Sequence, residues 1–203
     1  MFKKIFKEIK EWGKAIVIAI LLSFVLTAFV AQPFTVSGSS MLPTIEGLDK
    51  YDKEKIGDRL LIFKSPYLLG KEPNYGDVVV IDSDLTKDRG LKDAIGDNPF
   101  LRTFQNERED QYWVKRVIGK EGDTISFFEG KVFRNGEELE EEYLNEEMFF
   151  PFESVKIPEN HVFVMGDNRN DSRDSRHIGA VPTDHVVGKV VFRFYPFDKF
   201  TSF

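Results

Sequence analysis

The sequence contains no cysteine, and this excludes disulfide scaffolds, thiolate zinc sites and cysteine nucleophiles together. It also lacks an excess of positive charge. The formal net charge of -6 argues against a nucleic-acid-binding protein, because phosphate binding usually needs a basic face. Apolar residues nevertheless make up 41% of the 203 residues, which is enough for a folded chain of one or two domains.

One long apolar run lies near the N-terminus. Residues 15–31 read AIVIAILLSFVLTAFVA and carry no charge, and as a helix they would span about 26 Å, near the lower limit for a bilayer core. Trp12 is placed to sit at the headgroup level, and five lysines precede the run: Lys3, Lys4, Lys7, Lys10 and Lys14. Because positive residues stay on the cytoplasmic side, we predict a cytoplasmic segment 1–14, a single-pass transmembrane anchor 15–31 in the cell membrane, and an extracytoplasmic domain 32–203.

The alternative interpretation of this run is a cleaved secretory signal peptide. Cleavage after Ala31 would place Phe29 three residues before the cut, where a small residue is needed. Cleavage after Ala28 would place Leu26 at the same position. A buried helix of a soluble protein would show a polar stripe, and none interrupts the run. The sequence therefore favours a retained anchor.

Short β-type runs dominate the rest of the chain, and helical periodicity is scarce. We therefore predict a mainly β fold, a barrel or a sandwich, in which Asn135 and Gly136 form a hairpin turn. The polar stretch Asp82–Asp110 is interpreted as a loop insertion, and the acidic stretch Glu137–Glu147 as a solvated surface segment. The predicted strands are Leu60–Phe63, Asp77–Ile81, Tyr112–Ile118, Thr124–Phe128, Lys131–Arg134, His161–Met165 and Gly188–Tyr195.

Hydroxyl groups and a glycine are crowded in the segment Ser37–Thr44, shortly after the anchor. A serine nucleophile needs an exposed hydroxyl and backbone N–H groups that hold an oxyanion, and small neighbours let a substrate backbone approach. The plain alternative is a serine-rich linker. Ser40 follows Ala31 by nine residues, which reach at most about 30 Å when fully extended. Ser40 must therefore lie at or near the membrane surface.

Two adjacent cations, Lys115 and Arg116, occur within one of the predicted strands. Alternation places Lys115 on the face of Trp113 and Val117. Arg116 lies on the other face, and because both faces are apolar, the periodicity leaves open which cation is buried. Arginine does not deprotonate in proteins, whereas a desolvated lysine can be neutral near pH 7 and act as a general base toward a serine. A lysine at a surface edge of the sheet is the alternative.

The most polar stretch, residues 166–179, follows an apolar strand and reads GDNRNDSRDSRHIG. Asp174 and Arg176 could form an ion pair within it. A calcium loop is one alternative, but Arg169 occupies the third position from Asp167, where a ligand is needed. A polar surface turn is the other alternative, and it does not explain why charges of both signs are crowded between two β segments.

Together these segments resemble the type I signal peptidases, in the form with a single anchor. That family has an N-terminal membrane anchor followed by four sequence boxes, and matching stretches occur here in the same order. The resemblance runs from about residue 10 to about residue 198 and leaves the insertion unmatched. The matching stretches are Gly38–Thr44 for the nucleophile box, Gly57–Leu60 for a strand box, Lys115–Gly119 followed by Gly122 and Asp123 for the lysine box, and Gly166–Arg176 for the last box.

The resemblance implies a β-rich catalytic core behind a transmembrane helix, and a serine endopeptidase that removes signal peptides without a metal or cofactor. Ser40 would be the nucleophile and Lys115 the general base. The substrates would be preproteins with small residues one and three positions before the cut, bound as an extended strand beside membrane lipid. The implied supporting residues are Ser172, which would hold the lysine amine by a hydrogen bond, Gly38 at the oxyanion site, and the bracing charges Asp167, Asp174, Arg116 and Arg176.

One departure and two rival hypotheses accompany this resemblance. Some relatives carry a serine hydroxyl where this chain has Gly38, so backbone groups, Ser37 or Ser39 are the candidates that complete the oxyanion site. The first rival keeps a serine enzyme but takes its base from a Ser–His–Asp arrangement. The second is a membrane-tethered β-domain that binds a partner and catalyses nothing. The histidines that could supply the base in the first rival are His161, His177 and His185.

Overall fold

The computed structural model describes residues 2–49, 52, 55–102 and 111–203. A long N-terminal helix leads into two antiparallel β-sheets, so the predicted mainly β fold with an N-terminal apolar helix is confirmed. In chain order the elements are α1 (Phe2–Phe29), β1 (Ala31–Thr35), β2 (Arg59–Phe63), α2 (Ser65–Leu68), β3 (Val78–Asp82), α3 (Leu91–Gly96), α4 (Pro99–Arg102), β4 (Tyr112–Lys120), β5 (Thr124–Phe128), β6 (Lys131–Arg134), β7 (Glu137–Glu138), β8 (Val155–Lys156), β9 (His161–Met165), α5 (Ser175–Ile178), β10 (Val181–Pro182), β11 (Val186–Tyr195) and β12 (Thr201–Ser202).

Helix α1 carries its apolar side chains into the surroundings rather than into the core. Ile18 and Leu21, for example, are 64% and 60% exposed. Its 28 residues extend over about 42 Å, and in the part of the chain that the structure describes it is the one helix long and apolar enough to cross a membrane. The helix ends at Phe29, two residues before the predicted end of the anchor, because Ala31 already pairs with Phe63 as the first residue of β1.

The larger sheet has eight strands in the order β1-β2-β11-β3-β4-β9-β10, with β12 attached to β11. Every predicted strand is present in one of the two sheets, and no end is displaced by more than two residues. Strand β1 was not predicted, and it contains Pro33, a residue type that is rare inside sheets. The proline is tolerated here because β1 lies at the edge of the sheet and pairs with one neighbouring strand. Its missing N–H therefore does not interrupt the hydrogen bonds between two inner strands.

The core lies on both faces of β3, whose residues are all buried. Val78 and Val80 pack on one face in a cluster that includes Met41, and Val79 and Ile81 pack on the other face. Met41 belongs to the segment that follows the anchor and is 1% exposed. Burying a side chain of this size contributes about 1.5–3 kcal/mol, so it ties that segment to the sheet.

The smaller sheet, in the order β7-β6-β5-β8, is joined to the larger one by a third apolar cluster. Ile125 of β5 and Phe163 of β9 both belong to this cluster and are fully buried. The predicted hairpin turn connects β6 to β7: Asn135 and Gly136 have φ values of 56° and 85°, the left-handed conformation that such two-residue turns require.

The predicted loop insertion is partly helical, and it packs against the C-terminal end of α1. Helices α3 and α4 lie within it, while residues 103–110 are outside the described residues. The Arg89 guanidinium pairs with Asp82 and Asp97, both buried. Asn98 Nδ2 donates to Thr27 Oγ1 of α1 at 2.7 Å. Three charges of the polar stretch that suggested a loop, Asp82, Arg89 and Asp97, thus neutralise one another inside the fold.

Candidate active site

The hydroxyl of Ser40 and the amine of Lys115 are in direct contact. Lys115 Nζ lies 2.6 Å from Ser40 Oγ, although the residues are 75 positions apart in the chain. Ser40 lies in a turn next to the buried Met41, whereas Lys115 lies on β4 opposite Val79 of the buried strand β3. The centre of the sheet therefore supplies the lysine, and the segment after β1 supplies the serine.

Of the two adjacent cations, Lys115 is the buried one, with 3% exposure. Arg116 is partly exposed on the other face, where its Nε and Nη2 donate to the Asp167 carboxylate at 2.8 and 2.6 Å. Thr44 Oγ1 donates to the same carboxylate at 2.6 Å. The Asp167 carboxylate therefore joins three parts of the chain: the nucleophile segment, residues 37–44, strand β4, and the polar loop, residues 166–179.

Burial lowers the pKa of Lys115 from its ordinary value of 10.5 to about 8. Loss of solvation is the main cause, since it disfavours the charged amine. The carboxylates of Asp174 and Asp167 partly oppose this by raising the pKa, and the Arg176 guanidinium lowers it further. With a pKa near 8, roughly a tenth of the amines are neutral at pH 7. The site can therefore provide an uncharged base beside a hydroxyl.

Asp174 is the hub of the polar loop and is fully buried. Its carboxylate accepts hydrogen bonds from Arg176 Nε at 2.8 Å, from Gly166 N–H at 3.0 Å and from Ser172 Oγ at 2.7 Å. Burial alone would raise the pKa of Asp174, but these three donors stabilise the carboxylate and bring its pKa below the usual range. The ion pair expected between Asp174 and Arg176 is therefore present.

Ser172 is placed at the site but not in the expected hydrogen bond. Its hydroxyl donates to Asp174, and among the described residues it makes no hydrogen bond with the Lys115 amine. The contact with the lysine is indirect, through the charge of the carboxylate that Ser172 helps to hold. Gly166 lies so close that an added Cβ would be 2.2 Å from Ser172 Oγ and 2.3 Å from the Ser40 carbonyl oxygen. Only glycine fits between these two groups.

An oxyanion site beside Ser40 would have to use backbone groups, because no hydroxyl lies at position 38. Gly38 has a φ of +85°, which favours glycine. Ser39 Oγ donates to the Asp171 carboxylate, so this hydroxyl is already engaged, and Ser37 lies exposed at the surface. Among the described residues, no group accepts a hydrogen bond from the Ser40 N–H. That N–H is therefore available to an oxyanion.

The histidines have other environments. His185 is buried against two backbone carbonyl groups, His161 contacts one backbone carbonyl group, and the side chain of His177 is 54% exposed. In the described part of the chain, the side chain in hydrogen-bond contact with Ser40 Oγ is the lysine and not a histidine. The geometry thus disfavours the Ser–His–Asp hypothesis.

The interpretation of Glu137–Glu147 as a solvated segment is wrong in part, most clearly at Glu141. The Glu141 side chain is 7% exposed and forms a bidentate ion pair with the buried Arg169, at 2.5 and 2.8 Å. Tyr143, from the same stretch, stacks under the Arg116 guanidinium at 4.0 Å from its ring centre. These contacts join positions far apart in the chain, so no local pattern could have singled out Glu141 among its acidic neighbours.

Comparison with known proteins places the sequence of this chain in a family. The sequence profile of the family described as “Signal peptidase, peptidase S26” matches residues 9–195. A probable signal peptidase I-1 from Synechocystis sp. is 35% identical over 93% of this chain and 83% of its own length. Signal peptidase I T from Bacillus subtilis is 34% identical over 93% and 86%. A solved structure of a signal peptidase I from Enterococcus faecalis is 27% identical, covering 59% of this chain and 97% of its own, with a TM-score of 0.42.

Proposed function

Because this chain belongs to the signal peptidase family, peptidase S26, we propose that it is a membrane-bound endopeptidase that removes signal peptides from preproteins with a Ser40–Lys115 dyad. The family is one of serine endopeptidases. The observation that carries the proposal is the 2.6 Å contact between a buried amine and the hydroxyl of Ser40. A general base must lie within such a distance of the proton it removes, and the lowered pKa makes the neutral amine accessible.

The reaction follows from these positions in two stages. Lys115 takes the proton of Ser40 as the oxygen attacks the scissile carbonyl carbon, and the negative charge on the carbonyl oxygen is stabilised by the Ser40 N–H. The lysine then gives its proton to the departing amine, so the peptide bond breaks and the signal peptide is left as an ester on Ser40. In the second stage Lys115 takes a proton from water, the hydroxide attacks the ester, and Ser40 recovers its proton.

The membrane placement is part of the same proposal. The apolar part of helix α1 is the anchor, the lysines in the N-terminal half of the helix lie in the cytoplasm, and the β-domain lies on the outer side of the cell membrane. A nucleophile close behind the anchor suits a substrate that is itself held in the bilayer by its signal peptide. The substrate would bind as an extended strand with small residues one and three positions before the cut.

The decisive test is preprotein cleavage by the full chain in detergent. Ser40→Ala and Lys115→Ala should each abolish release of the mature protein, whereas Ser202→Ala and Lys92→Ala, at exposed positions away from the site, should retain it. Undiminished cleavage by Ser40→Ala or Lys115→Ala would exclude the dyad. A scaffold without activity would show no cleavage by the unaltered protein.

The lack of cysteine makes the orientation directly testable, since a single introduced thiol can be labelled without background. A membrane-impermeant thiol reagent should label Lys92→Cys in intact cells and Lys7→Cys only after lysis. The reverse pattern would exclude the proposed orientation while leaving the proposed chemistry intact.

A further inference from the structure

Asn168 contacts both peptide groups that flank the proposed nucleophile. Its side-chain Nδ2 donates to the Ser39 carbonyl oxygen at 3.2 Å, and its backbone N–H donates to the Ser40 carbonyl oxygen at 3.1 Å. The first carbonyl belongs to the peptide group before the Cα of Ser40, and the second to the peptide group after it. Rotation about either backbone bond of Ser40 would lengthen one of these contacts, so they restrain the φ and ψ angles of this residue, together with the hydrogen bond from Leu42 N–H to the Ser39 carbonyl oxygen.

The Ser39 carbonyl oxygen accepts from Asn168 Nδ2 and also from the Leu42 N–H at 3.0 Å, and these contacts together set the direction of the Ser40 N–H. The Ser39 C=O and the Ser40 N–H belong to one planar trans peptide unit, in which they point in opposite directions. With Asn168 on the carbonyl side, the N–H must point away from the polar loop. A hydrogen bond accepted by the carbonyl also polarises the unit and strengthens its N–H as a donor.

The polar loop, residues 166–179, also contacts the side chain of Ser39 in the nucleophile turn, residues 39–44. Ser39 Oγ donates to the Asp171 carboxylate, and the Asp171 N–H in turn donates to the Asn168 carbonyl oxygen at 3.1 Å. With the hydrogen bond of Thr44 Oγ1 to Asp167, loop and turn are joined by four hydrogen bonds among the described residues, and the Ser39 and Asp171 pair is 132 residues apart. This link is separate from the Asp174 hub, which acts on the charge of the lysine.

We propose that Asn168 is the positioning residue of the oxyanion site, aiming the Ser40 N–H at the carbonyl oxygen of the substrate. The inference rests on the proposed function. Its importance follows from Gly38: because no hydroxyl lies at that position, charge stabilisation depends more heavily on the Ser40 N–H and on the accuracy of its direction. Loss of one oxyanion donor typically lowers kcat about 100-fold to 1,000-fold, so misdirecting the donor should cost a sizeable part of this.

Asn168→Ala tests the proposal, because it removes the side-chain contact and keeps the backbone contact with Ser40. We expect kcat for preprotein cleavage to fall roughly 10-fold to 100-fold while KM changes less than about 3-fold. The matched control is Asn170→Ala. Asn170 lies in the same loop, but its side chain contacts Glu146, Glu147 and Phe149 and not the nucleophile turn.

A second readout separates positioning from a general structural role. A peptide boronic acid forms a tetrahedral adduct on a serine, with one oxygen in the oxyanion position. Its affinity should fall in parallel with kcat in Asn168→Ala, while binding of an uncleaved substrate peptide to the Ser40→Ala background should be unaffected by the second change. The pH dependence of kcat/KM should be the same as in the unaltered protein, because the lysine is untouched.

Asn168→Asp provides an independent variant of the same shape that cannot donate from its side chain, and it is used if the alanine variant unfolds at a lower temperature. The same fall in kcat is expected. Normal kcat in both variants, an unchanged boronate affinity, or a loss shared equally by kcat and KM would overturn the inference and leave the dyad standing. If the unaltered protein cleaves no preprotein, the proposed function fails and this inference fails with it.

Discussion

Asp174 opposes the effect of burial on Lys115: its carboxylate raises the pKa of the amine, which desolvation nevertheless lowers to about 8. The balance leaves the lysine deprotonated slightly above neutral pH and still close to a counter-charge that can stabilise its protonated form during catalysis. The catalytic proposal therefore depends on the charges of the polar loop as well as on the contact between Lys115 and Ser40.

The pH dependence of cleavage should report this lysine. Because the neutral amine is the active form in the proposed mechanism, kcat/KM should rise about tenfold per pH unit at low pH and level off near pH 8. Steady-state cleavage of a preprotein between pH 5 and 10 measures this. Lys115→Arg keeps the charge but cannot act as a base, so it should lose at least about 100-fold in kcat/KM. An ascending limb centred near pH 6.5, as for histidine, would contradict the lysine mechanism.

Substitutions of two oppositely charged residues in the polar loop should shift the ascending limb of the pH profile of kcat/KM in opposite directions. Asp174→Asn removes a negative charge that raises the pKa of Lys115, so the limb should shift to lower pH. Arg176→Met removes a positive charge that lowers the same pKa, so the limb should shift to higher pH. Shifts on the order of one pH unit are expected. Melting temperatures must accompany the profiles, because Asp174 also caps helix α5. Equal shifts in the same direction would refute this electrostatic account.

The buried lysine should cost stability at neutral pH. Its folded-state pKa of about 8 lies below the ordinary 10.5, so the cost is fully present below about pH 8 and fades as the pH rises toward 10.5. Lys115→Met, similar in size and uncharged, should therefore be more stable than the unaltered protein at pH 6.5, by up to about 3 kcal/mol, and the gain should shrink at pH 10. Urea unfolding at the two pH values measures the difference. A Met variant that is less stable at pH 6.5 would contradict the prediction.

The ion pair between Glu141 and Arg169 should be important for stability. Glu141→Gln leaves a buried guanidinium without its counter-charge, which typically costs about 3–5 kcal/mol. Glu142→Gln, next to it but exposed, is the matched control and should change the free energy of unfolding by less than about 0.5 kcal/mol. Thermal and urea unfolding of the two variants provide the comparison, and equal stabilities would show that the pair contributes little.

Much of the fold was predictable because it is encoded locally. The alternation in strands such as Thr124–Phe128 and His161–Met165 needs no distant information, and both have the predicted bounds. The hairpin at Asn135 and Gly136 follows from the φ angles those residue types tolerate. The elements that were missed have local sequences that are not typical of them. The edge strand β1 contains Pro33, and the two short helices α3 and α4 lie in a polar stretch.

The features of the candidate site also fall into those that the sequence predicted and those that it could not. Residue types alone suggested the Asp174 and Arg176 pair but left open a serine-rich linker and a lysine at a surface edge. The resemblance of four short stretches to a known family is what singled out Ser40 and Lys115. The partner of Ser172 and the contacts of Asn168 could not be predicted, since each joins groups whose distance is set only when the polar loop packs on the nucleophile turn.

The sequence by itself determined an apolar N-terminal helix, a mainly β domain and the chemical groups available for catalysis, because hydrophobic period and residue chemistry are properties of short segments. Only the tertiary structure decided that Lys115 rather than Arg116 is buried and that Glu141 leaves the solvent to meet Arg169. Burial and charge pairing depend on which distant segments pack together. That packing minimises the free energy of the whole chain and cannot be read from any one segment.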